Sequence, residues 1–166
     1  MTGAAPLHLA LPDAGATDGL GAALAATAPV PAVAHLHGDL GAGKSTLARA
    51  WLRALGVQGA IRSPTYTLVE RYPLAAGGDA LHLDLYRIAE AAELEFLGLD
   101  DTEAALWLVE WPERGGAGLP PADLRIALRI EGSGRRVELV AGSPAGAAWL
   151  GRLIQESELQ HLLSLV

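Results

Sequence analysis

Apolar positions along the chain change period several times, and each change marks an element. "PLHLAL" (6–11) alternates and predicts a short strand. "DAGATDGLGAALAATA" (13–28) predicts a helix that opens near Asp13 and closes before Pro29. "PAVAHLHG" (31–38) is an apolar run of strand length stopped by a glycine. In "STLARAWLRALG" (45–56), Leu47, Trp51 and Leu55 recur at helical spacing, and Gly56 supplies a C-terminal stop.

"TYTLVERYPL" (65–74) and "DALHLDLYRI" (79–88) are rich in strand formers, and the "AAGG" between them predicts a hairpin. "EAAELEFLGLDDTEA" (90–104) reads as an acidic helix, and "ALWLVEW" (105–111) as a buried strand. A proline- and glycine-rich connector, "PERGGAGLPPAD", leads to "LRIALRI" and "RRVELVA", two strands joined by the turn "EGSG". From Ser143 to residue 166 the tail reads as helical, with Leu150, Leu153 and Ile154 on one face. Helices alternate with strands early and antiparallel hairpins follow. This predicts a single domain over 1–166, an α/β sandwich whose mixed sheet has a parallel core and antiparallel strands.

Composition narrows the function classes. The net charge of −7 argues against a broad basic surface for nucleic acid or anionic membrane. The absence of cysteine excludes disulfides and thiolate metal sites and fits a reducing compartment. The N-terminus lacks a basic segment followed by an apolar run, and the alanine-rich stretch 21–34 is broken by Pro29 and Pro31. Neither reads as a signal or a membrane span, so the expectation is a cytoplasmic protein.

One lysine stands among eleven arginines, and it lies in "GDLGAGKS" (38–45). That string satisfies G-x-x-x-x-G-K-[ST] in full, between a predicted strand and a predicted helix. Glycines at 38, 41 and 43 let successive N–H groups converge on an anion, and the helix beginning there adds its positive end. Lys44 is a compact charge on a long stem, suited to terminal phosphate oxygens, and Ser45 offers a hydroxyl to Mg2+. By chance this lysine would fall in such a frame on the order of once in a thousand, so the stretch is a phosphate loop. A guanine-reading N-K-x-D motif needs a second lysine, which makes ATP the expected nucleotide.

Two predicted strands end in a carboxylate, at Asp84 and Glu110, and either suits the acid that holds Mg2+. Pattern does not separate them. Thr65, in "SPTYT", sits where switch segments of nucleotide hydrolases occur, although position alone favours a strand start set by Pro64. His82 reads as a packed or surface strand residue, since no histidines lie at metal spacing, and Trp107 and Trp111 as core or rim aromatics.

"GDLGAGKSTLARA", "SPTYTLVERY", "HLDLYRI", "ELEFLGLDD" and "LVEWPER", in that order and spacing, resemble the TsaE family over roughly residues 7–142. The resemblance implies a P-loop ATPase of three-layer α/β fold. Such an enzyme works with TsaB and the transferase TsaD in threonylcarbamoylation of adenosine 37 of tRNA, meets the tRNA only through that assembly, and is weak alone. It implies that Leu40, Gly41, Ala42, Gly43, Lys44, Ser45 and Thr46 wrap the phosphates, with Ser45 where the family usually has threonine. It makes Glu110 the Mg2+ ligand with Ser45, leaves Asp84 near the γ-phosphate or attacking water, and makes Thr65 the switch threonine. "PDAGAT" corresponds to a segment beside the adenine, which brings in Ala14; Arg135 or Arg136 is expected nearby, or simply solvated at its hairpin turn. "ESELQHLLSLV" runs beyond the family pattern, and its stripe of Leu159, Leu162 and Leu163 is expected to pack on the chain's own core. A small-molecule kinase and a nucleotide sensor are the alternatives.

Overall fold

The computed structural model describes residues 4–99 and 103–163 of the 166. Seven strands form one sheet: β1 (Leu7–Leu11), β2 (Ala32–His37), β3 (Val69–Pro73), β4 (Asp79–Asp84), β5 (Leu106–Glu110), β6 (Leu124–Glu131) and β7 (Gly134–Ala141), in the spatial order β1-β7-β6-β2-β5-β4-β3. The central run β6-β2-β5-β4 is parallel, while β7, β1 and the opposite edge β3 are antiparallel. This is the predicted mixed sheet, its strands alternating as the hydrophobic pattern requires.

Three helices lie on one face: α1 (Ala14–Thr27), α2 (Lys44–Ala54) and α3 (Pro144–Ile154). Asp13 caps α1 by accepting from the Ala16 amide at 2.9 Å, and Ser143 caps α3 at Gly146. Leu9, Leu36, Leu47, Trp51, Ile126 and Trp149 are fully buried between these helices and the sheet. Trp51 and Trp149 meet edge to face at 5.7 Å. Among the described residues the third layer is built from short turns rather than α-helices. On the other face Leu81, Leu83, Trp107 and Val109 pack with Leu94 and Leu119, from a 3₁₀ stretch (Ala91–Leu97) and from the connector after β5.

Three expectations change. The acidic segment 90–104 is 3₁₀ over Ala91–Leu97 and ends at a left-handed Gly98, instead of running on as a long helix; residues 100–102 lie outside the described residues. Its apolar positions Ala91, Leu94 and Leu97 recur every three residues, a spacing that a three-per-turn helix brings to one face. The strand expected from Thr65 starts only at Val69. Residues 64–67 form a turn, closed by the Leu68 amide on the Pro64 carbonyl at 2.8 Å. In the tail, α3 ends at Ile154, which is 40% exposed rather than on the buried face with Leu150 and Leu153. The chain continues as 3₁₀ over Ser157–Leu162, and residues 164–166 lie outside the described residues. Leu159 and Leu162 pack in the main core, and Leu163 bridges to Leu9, as expected for the terminal stripe.

Candidate functional site

β2 ends at His37 in the middle of the sheet, and the glycine-rich loop springs from it into the N-terminus of α2. Gly38 is required there, since a Cβ would stand 2.6 Å from the Leu128 carbonyl oxygen. Gly43, with φ +110, turns the chain into the helix in a conformation that side-chain-bearing residues avoid. Arg135, on β7, donates to the carbonyls of Ala42 at 2.9 Å and Gly41 at 3.2 Å, and so braces the loop from outside. It is a loop-holding residue, not a solvated one.

Lys44 is 5% exposed, and burial lowers its pKa from the usual lysine value. Its Nζ donates to the carbonyls of Gly38 and Asp39 and lies 4.6 Å from the centre of the Trp111 ring. Trp111 adopts φ +56 immediately after β5, and its ring also packs on Tyr86 at 4.9 Å. The backbone strain of a left-handed tryptophan, about 1–3 kcal/mol, is spent on placing that ring over the loop lysine. Trp107, by contrast, is a core residue.

The two strand-end carboxylates come together. β4 and β5 run parallel with Asp84 opposite Glu110, so both project from the same end of the sheet beside the loop. Glu110, 2% exposed, accepts from the Ser45 hydroxyl at 2.9 and 3.0 Å and from His82 Nε2 at 2.6 Å. Asp84 accepts from the Tyr86 amide at 3.0 Å. Burial raises its pKa from the ordinary aspartate value, against the Tyr86 amide and with the facing Glu110 adding to the rise. The Thr65 hydroxyl stands 3.5 Å from Asp84 Oδ2 and 2.7 Å from the Ser63 hydroxyl.

Lys44, Ser45, Thr65, Asp84, Glu110 and Trp111 thus line one cleft of about 350 Å³. Leu40, Gly41, Gly43 and Thr46 line it too, whereas Ala42 is buried behind the loop. A second hollow of about 180 Å³ adjoins it, lined by Ala14 and Thr17 of α1, Leu128 and Ser133, and shares Gly43, Thr46 and Arg135 with the first. Apart from Arg136, the residues that the sequence nominated for the site fall on one or the other, or lie in or brace the loop between them. Arg136 points elsewhere, toward Glu131.

Chemically, the cleft offers a glycine-rich backbone nest, one lysine and a helix N-terminus for an anion, and hydroxyl and carboxylate oxygens for a hard cation. Among the described residues no group of three or more His, Cys, Asp or Glu could hold a metal. Ser45 and Glu110 alone suit Mg2+, which keeps several waters and takes its other ligands from phosphate. His82 is a packed strand residue and Trp111 a rim aromatic, as expected; what the sequence reading missed is the bond of His82 to Glu110 and the Trp111 ring beside Lys44. His82 is two residues before Asp84 and so on the same strand face, a signal that was present. The left-handed turn at Trp111 had none.

A family model described as "Threonylcarbamoyl adenosine biosynthesis protein TsaE" matches residues 11–137. Curated relatives named "tRNA threonylcarbamoyladenosine biosynthesis protein TsaE" include that of Haemophilus influenzae, 46% identical over 114 residues, covering 68% of this chain and 72% of the relative. The protein of the same name in Synechocystis is 43% identical over 111 residues, covering 63% and 69%. The crystal structure of Bacillus subtilis YdiB superposes with a TM-score of 0.74 at 26% identity, covering 90% of this chain and 95% of that one.

Proposed function

This chain belongs to the TsaE family of tRNA threonylcarbamoyladenosine biosynthesis, and on that premise we propose that it is the Mg2+-dependent ATPase subunit of an assembly with TsaB and TsaD. In this reading the assembly installs the threonylcarbamoyl group on adenosine 37 of tRNA, and the tRNA is met only through the partners. The observation that carries the reading is the junction of the phosphate loop with two unlike carboxylates: Ser45 on Glu110, and Asp84 opposite it.

The roles divide by environment. Glu110 is held by two donors and keeps an acceptor edge toward Ser45, which suits a cation ligand. Ser45 and Glu110 would hold the Mg2+, which would supply charge neutralisation for phosphoryl transfer. Lys44 exchanges its two loop carbonyls for phosphate oxygens, while the loop amides and the start of α2 face the triphosphate. Asp84, its carboxyl pushed toward protonation by burial, orients the attacking water at Oδ2, with Thr65 beside it. The hollow at Ala14, on the far side of Gly43 and Thr46, suits the adenine.

Phosphate release from ATP by the purified chain, alone and then with TsaB and TsaD from the same organism, tests the reading. Slow release that rises when both partners are added supports the assembly. Tight nucleotide binding with no stimulation overturns it in favour of a sensor or kinase.

A further inference from the structure

His82 is 1% exposed, on the strand face that carries Asp84, and its Nε2 lies 2.6 Å from Glu110 Oε2. In the register of β4 and β5, His82 pairs with Leu108, so it reaches Glu110 along the diagonal, a distance the imidazole ring spans. Its other nitrogen, Nδ1, is buried with no hydrogen-bond partner. An unpaired buried polar atom destabilises a fold, and an apolar side chain at this position would avoid that cost. Packing therefore does not explain a histidine here; the Nε2 bond does.

Ser45 alone does not orient the carboxylate. Its hydroxyl sits 2.9 Å from Oε1 and 3.0 Å from Oε2, nearly astride the two. His82 breaks that symmetry by engaging Oε2. Because a carboxylate only accepts, the imidazole proton of this bond sits on Nε2. Oε1 is left on the Ser45 side of the cleft.

We propose that His82 is a positioning residue that locks the Glu110 carboxylate so that Oε1 and the Ser45 hydroxyl form a ready-made pair of oxygen ligands for a divalent cation. This rests on the reading of Glu110 as a cation ligand, and it adds a residue that never touches the nucleotide. Partners of ligands in other metal sites contribute about 10- to 100-fold to metal affinity.

The test uses the full chain with saturating ADP, Mn2+ titrated by electron paramagnetic resonance, metal-free ADP affinity by calorimetry, and melting followed by circular dichroism. His82→Leu is expected to weaken Mn2+ binding about 10- to 100-fold while metal-free ADP affinity is unchanged. His82→Gln, whose amide N–H replaces Nε2–H, is expected to recover most of that loss. Wild-type Mn2+ affinity in His82→Leu overturns the proposal, provided that Glu110→Gln is impaired. If Glu110→Gln also binds Mn2+ normally, the cation reading of Glu110 fails, and this proposal with it. Equal weakening in His82→Leu and His82→Gln, with ADP affinity and melting temperature lowered together, assigns His82 a purely structural role and overturns it too.

Discussion

At the scale of single residues the site works by giving two identical chemistries unlike surroundings. Asp84 and Glu110 face each other across β4 and β5, but Glu110 has Ser45 and His82 as donors, and Asp84 has the Tyr86 amide. Asp84→Asn keeps an acceptor and the shape of the side chain but cannot hold negative charge. It should leave nucleotide affinity within about twofold and cut phosphate release by about 10²–10⁴-fold, measured by calorimetry and single-turnover kinetics. The same variant has a signed consequence for stability. A carboxyl whose folded pKa is raised favours folding while protonated, and that contribution is lost as pH rises through the folded value. Asp84→Asn removes the charge that costs stability, so it should melt higher than the wild type at pH 7.5. The difference should vanish in acid, below the ordinary aspartate pKa. A lower melting temperature at pH 7.5 would refute the burial argument.

At the scale of elements, three close contacts hold the helices to one another and to the sheet. A Cβ on Gly21 of α1 would lie 2.8 Å from the Ala50 Cβ and 2.9 Å from the Trp51 amide of α2, the helix that presents Lys44 and Ser45. Gly21→Val should therefore push the two helices apart. The expected cost is about 1–3 kcal/mol, read as a lower denaturation midpoint with unchanged slope, and nucleotide binding should weaken as well because α2 is displaced. Gly146 is tighter still, with a Cβ only 1.7 Å from the Asp123 carbonyl oxygen. Asp123 accepts from the Val33 amide and the Ser143 hydroxyl, so this one contact ties β2, β6 and α3. Thr27→Val tests the remaining joint. It strands the buried Trp149 Nε1–H, which donates to the Thr27 hydroxyl at 3.0 Å, and should cost about 1–3 kcal/mol. Its distance from the cleft predicts an unaltered nucleotide affinity in the folded population.

At the scale of the whole molecule, charge and topology point the same way. The order β1-β7-β6-β2-β5-β4-β3 gathers the C-terminal ends of β2, β4 and β5 at one edge of the sheet, and the loop, both acids and Trp111 all leave from there. Ligands of open α/β sheets bind at that edge. No helix among the described residues is long and apolar enough to cross a membrane. With a net charge of −7, the isolated chain should fail to retain tRNA in a gel shift at about 0.15 M salt, where nucleic-acid affinity depends on releasing counterions from phosphate. Retention that falls steeply with added salt would show a local cationic surface strong enough to overcome the overall charge.

Most of the elements, and the loop, were legible in the sequence because they are local. Asp13 and Ser143 cap helices that begin one residue later, and the only lysine sits in a frame whose backbone geometry the glycines dictate. Strand alternation was enough to predict the mixed sheet and to put Asp84 and Glu110 at strand ends. It was not enough to say that they face each other, because that depends on β4 and β5 being neighbours in register, although 26 residues separate the two acids. The Arg135 brace on the loop crosses more than 90 residues. The turn of Trp111 over Lys44 depends on a left-handed backbone that no side-chain pattern encodes. Local hydrogen bonding and periodicity determined the parts of this protein. Only the packing of distant strands decided which carboxylate acquired Ser45 and His82 as donors, and which was left facing it in a poorly solvated cleft.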